Sequence, residues 1–125
     1  MSGLKTVFVA LLVLSQPLRA MDTPLIATFA SCTGRFSAEL EHAWLINDTR
    51  TAEIEHRRLQ FIDLLDATVP PDARPDMLNL RIQAKVAHAG LLSQALFSQD
   101  ADRSAWALRR AQSEISYCAG FLLDS

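Results

Sequence analysis

The sequence predicts an all-α protein: an up-down-up-down four-helix bundle stapled by one disulfide, Cys32–Cys118. Three observations carry that expectation. Apolar residues recur at steps of three and four through four stretches joined by short breaks. The chain of 125 residues has only four glycines, and its five prolines fall near the ends of the periodic stretches, too little punctuation for a sheet protein. The two cysteines lie on the apolar stripes of the first and last stretch, at ends that such a bundle makes neighbours. Half of the residues are apolar and the formal charge is only −2, which excludes a disordered chain and gives no basic footprint for nucleic acid.

Residues 1–20 read as a secretory signal peptide. Lys5 supplies the positive start, residues 6–15 form the apolar run, Pro17 breaks it, and Ala20 places a small residue at the cut. The run is about half the length of a membrane span, so no retained span is expected. Phe29-Ala30-Ser31-Cys32 resembles a lipoprotein box only superficially, since it lies far past the apolar run and beyond Asp22 and Pro24. Loss of Lys5 and Arg19, with no acid, takes the formal charge from −2 to −4 and leaves Lys85 as the one lysine of a single domain, residues 21–125.

Helix one is expected over 23–46, with Thr23 as N-cap and Pro24 in the first helical position. Leu25, Phe29, Cys32, Phe36, Leu40 and Ala43 form its core stripe. Asn47, Asp48 and Thr49 make a turn in which Asp48 or Thr49 caps the next helix; the same three residues match a glycosylation sequon, a pattern short enough to arise by chance. Helix two covers 51–67, with Ile54, Phe61, Ile62 and Leu65 inward. Three prolines within 69–75 demand a loop. Helix three covers 76–97, with Ile82, Ala89 and Leu92 as its core stripe. After Ser98, Gln99 and Asp100, helix four carries Leu108, Ala111, Ile115, Cys118 and Leu122 on one face.

In an oxidising compartment the two cysteines close a loop of about 86 residues, for which the chain-entropy model sets a ceiling of roughly 4–5 kcal/mol. No Cys-x-x-Cys spacing suggests a redox pair or c-type haem.

Four features bear on function. Glu39 with His42 and Glu53 with His56 have the Glu-x-x-His spacing of di-iron bundles. Residues 77–97 contain no acid to complete a four-carboxylate cage, and His42 and Glu53 fall about 100° off the core stripes, so no metal or cofactor is expected. Arg58 falls amid the stripe of helix two, while Arg81, Lys85 and His88 align along helix three. Cations on apolar faces are uncommon unless paired or bound to something. They form a candidate anion site, against the plainer reading that Arg58 snorkels or pairs with Glu39 or Glu55. On helix four, Trp106, Arg110, Tyr117 and Phe121 form a stripe away from the core face, a candidate interaction surface. Helix three shows a second apolar side in Leu80, Ala84, Ala87, Leu91 and Ala95, one stripe more than a monomeric bundle needs.

No phosphate loop, nucleophile elbow or inward carboxylate pair is present, so no catalytic residue is assigned and an enzyme is the less favoured reading. The expected function is that of an exported periplasmic binding or accessory protein, contacting another periplasmic protein or a second copy of itself through helices three and four. The alternative is a small-anion-binding protein or enzyme with a basic site at Arg58, Arg81 and Lys85. A concave pocket on which Arg58 and Lys85 converge favours the alternative; exposed extra stripes favour the first.

Overall fold

The computed structural model describes residues 19–123. The expected leader lies outside these, except that the backbone of Arg19 and Ala20 belongs to the first helix. Among the described residues four helices follow one another: α1 (Arg19–Ile46), α2 (Thr51–Thr68), α3 (Arg74–Phe97) and α4 (Ala101–Ala119), with a 3-10 turn, Pro71–Ala73, ahead of α3. Among the described residues there is no strand, and no helix is long and apolar enough to cross a membrane.

Helix ends follow local chemistry. α1 does not start at Thr23 but runs through it, so Pro24 lies inside the helix and Thr23 is not its cap. Its far end closes on Asn47 in the left-handed region (φ 55°), with Asp48 N donating to Ala43 O at 2.9 Å. Asp48 does not cap α2. Its Oδ1 accepts from Arg50 N at 2.8 Å within the turn and its carboxylate grips the Arg50 guanidinium, so α2 starts at an N-cap Arg50 without a side-chain cap. α4 is capped by Asp100, which accepts from Asp102 N and Arg103 N.

α1 is the hub, with α2 packed along it, α3 crossing it closely, and α4 lying on α3 and touching α1. The α1–α2 side is aromatic: Phe36 stacks on Phe61 at 5.6 Å, and Phe29 meets Phe61 at 6.3 Å. The α1–α3 side is built from small residues. Gly34 lies against the Arg81 carbonyl and the Ala84 methyl, with Thr33, Ser37 and Ala38 buried beside it. The Thr33 and Ser37 hydroxyls are satisfied by Phe29 O and Thr33 O in their own helix.

This crossing rotates helix three away from its expected phase: of the expected stripe Leu92 is buried, but Ile82 and Ala89 are not. Met77, His88 and Leu92 are buried and Leu80, Ala84, Leu91 and Ala95 partly so, whereas Ile82 is half-exposed and Ala89 exposed. Of the second side, only Ala87 stays outward. A backbone that comes to rest on Gly34 admits Ala84 there and has no room for Ile82 or Val86. Similarly, Ile26 replaces Leu25 in the core and Ala107 replaces Leu108.

Cys32 and Cys118 are joined across the α1–α4 contact, both fully buried, with Cα atoms 5.6 Å apart. The bond ties chain positions 86 apart. Beside it Arg35 pairs with Glu114 at 2.8 Å, and Glu114 also holds Arg110.

Candidate functional site

Because α2 and α3 both pack on α1 rather than on each other, a groove of about 430 Å³ opens between them. α1 supplies the floor through Ser37, Leu40, Glu41 and Trp44. One wall is α2, with Glu55 and Arg58; the other is α3, with Leu78, Arg81, Ile82 and Lys85. Three of the four residues of the candidate anion site, Arg58, Arg81 and Lys85, thus meet on one concavity.

Their environments differ. Lys85 is neutralised by an ion pair with Glu41. Arg58 is half-buried, and its Nε donates to Ser37 Oγ at 3.0 Å, which orients the guanidinium from the groove floor. The expected alternative partners, Glu39 and Glu55, do not pair with it. Among the described residues neither Arg58 nor Arg81 has a carboxylate within ion-pair reach. Burial, and after it the charge of Arg58, pushes the Arg81 guanidinium below its ordinary pKa, with Asp66 acting in the opposite sense. Two like charges therefore share a partly desolvated groove.

The fourth residue, His88, does not join them. It is buried at the α1–α3 contact with Nε2 2.8 Å from Glu39 Oε1. The reason is the rotation of α3: the face that turns His88 inward leaves Arg81 and Lys85 at the groove. That contact also takes Glu39 out of its Glu-x-x-His pair, while Glu53 pairs with Arg57. Among the described residues no three His, Cys, Asp or Glu side chains are grouped to hold a metal ion.

A second cavity of about 400 Å³ adjoins the groove and shares Leu78 and Arg81 with it. Leu65, Val69, Met77 and Leu78 line it together with the charged Asp66, Arg74 and Arg81, so its surface is as polar as it is apolar. The sequence reading missed Ser37, Glu41, Trp44 and Leu78. A signal for the floor exists: Thr33, Ser37, Glu41 and Trp44 recur at steps of four and three, a polar stripe beside the apolar one.

On α4, Trp106 and Tyr117 are 52% and 56% exposed and the Arg110 side chain 60%. Phe121 departs from that stripe. α4 ends at Ala119, and Phe121 N bonds Cys118 O in a turn, so helical spacing no longer applies. Its ring turns in, edge-on to Phe29 at 6.2 Å, and packs against the core.

Searches against protein-family models, curated proteins and solved structures found no match to this chain.

Proposed function

We propose that the chain is exported, loses residues 1–20, and acts in the periplasm as a binding protein whose α2–α3 groove holds an anionic group. One observation carries the reading: Arg58 and Arg81 face the same groove, and among the described residues no carboxylate lies within ion-pair reach of either. Two partly desolvated guanidiniums repel each other, and an anion between them relieves that cost while using their forked donors. Ser37 strengthens the argument, since it holds Arg58 by Nε and leaves the terminal nitrogens for a ligand.

The test is thermal unfolding of the purified chain 21–125 with acetate, inorganic phosphate and longer carboxylates. At least one of these raises Tm for the parent, and the gain disappears in Arg81→Gln. The substitution removes a like-charge neighbour, so the unliganded variant unfolds no lower than the parent. No anion-dependent rise in the parent, or an equal rise in the variant, rejects the reading.

The exposure of Trp106 and Tyr117 favours a second reading, contact with another protein or a second copy through the outer side of α4. It is independent of the groove, which lies on α1, α2 and α3.

A further inference from the structure

We infer that the groove takes a monocarboxylate carried on an apolar chain, a fatty-acid-like amphiphile; this rests on the reading of the groove as an anion site. Charge sets the head group. The groove and its adjoining cavity are lined by Arg58, Arg74, Arg81 and Lys85 against Glu41, Glu55 and Asp66, a net charge of one positive. A single negative charge balances it. A phosphate dianion would leave excess negative charge among three carboxylates in a partly desolvated space. The planar forks of Arg58 and Arg81, on opposite walls, suit the two oxygens of one carboxylate.

The apolar walls set the rest of the ligand. Leu78 and Ile82 flank Arg81 on α3 and stay about half exposed. From Leu78 the surface continues into the cavity formed by Leu65, Val69 and Met77. A carboxylate seated on the arginines directs its chain along Leu78 and Ile82 toward that space, covering the apolar surface that these two side chains leave about half exposed. Burying each methylene raises affinity by roughly two- to fourfold, so chain length is a direct readout.

Trp44 at the groove supplies the signal. The chain has two tryptophans, and Trp106→Phe leaves Trp44 as the sole tryptophan, excited selectively over Tyr117. Its fluorescence is titrated with acetate, hexanoate, decanoate below its micelle concentration, neutral decanol and inorganic phosphate. Decanoate saturates and binds at least tenfold tighter than hexanoate; acetate, phosphate and decanol do not saturate in the same range. Arg58→Gln and Arg81→Gln each weaken decanoate at least tenfold, their folding checked by circular dichroism, and Leu78→Ser weakens it without touching the charge. Phosphate or acetate binding as tightly as decanoate would leave an anion site but overturn the chain. Decanol binding equally well would overturn the carboxylate. No response to any anion, by fluorescence or by a Tm rise, would remove both the amphiphile and the anion site.

Discussion

His88 Nε2 lies 2.8 Å from Glu39 Oε1 across the α1–α3 contact, with the imidazole buried and the carboxylate reaching the edge of solvent. The pair bridges a crossing otherwise made by the small residues Thr33, Gly34, Ser37, Ala38 and Ala84. Removing one partner strands the other, and the asymmetry is measurable. Glu39→Ala leaves a buried imidazole N–H without its acceptor and costs about 1–3 kcal/mol. Adding His88→Leu to it removes the stranded group, so the double variant recovers stability in urea unfolding. A double variant no better than Glu39→Ala would show that the imidazole's cost is not what destabilises the single one.

The two glycines of α1 and α3 respond oppositely to alanine. A Cβ at Gly34 overlaps the Arg81 carbonyl and sits 2.9 Å from Lys85 N, both backbone, so α3 has to move. Gly34→Ala costs about 3 kcal/mol. At Gly90 a Cβ meets nothing within 4 Å, and Gly90→Ala stabilises by about 0.5–1 kcal/mol through helix propensity alone. Chemical denaturation of both variants checks the pair of signs.

The disulfide leaves no free thiol among the described residues. Protein recovered from the periplasm is expected to resist alkylation when unfolded without reductant and to weigh two hydrogens less than its reduced form. Replacing Cys32 and Cys118 together by Ser lowers stability by up to about 4 kcal/mol, because the unfolded chain regains the freedom of a long loop. Two alkylatable thiols in the unreduced protein would contradict the bond.

Trp106→Ala and Tyr117→Ala separate the outer side of α4 from the core. Among the described residues Trp106 makes no ring contact, and its loss costs under about 1 kcal/mol, as for a surface change. Tyr117 also gives up its edge contact with Phe121 at 5.3 Å, worth about 0.5–1.5 kcal/mol. If the stripe is a contact surface, both variants weaken self-association or partner capture more than these values. A cost of about 3 kcal/mol in the isolated chain would place either ring in the core.

Arg50 holds the Asp48 carboxyl below the usual carboxylate range, first through its side-chain hydrogen bonds and then through its backbone N–H. A carboxyl whose folded pKa is depressed stabilises the fold above its unfolded value of about 3.9. That contribution is lost as pH falls through the lower folded value. Arg50→Gln removes the charged partner and keeps the backbone bond, so the Asp48 pKa rises part of the way back, as carboxyl NMR titration reads out. An unchanged titration would show that the guanidinium is not the cause.

Periodicity, prolines and cysteine placement determined four helices, their order, the loop before α3 and the Cys32–Cys118 pairing, because each depends on local backbone chemistry or on a length set by connectivity. Most inward positions of α2 were readable for the same reason: Ile54, Phe61 and Leu65 repeat on one stripe and are buried, while Ile62, expected beside them, is only partly so. The rotation of α3 was not. It carries two apolar stripes, and only contact with Gly34 selects the one that brings Ala84 inward and leaves Ile82 out. That choice also decides the site, since it buries His88 against Glu39 while setting Arg81 and Lys85 opposite Arg58. Spacing along a helix states which residues share a face; which face meets a neighbour depends on how closely two backbones approach, and that distance is set by the small residues of the other helix.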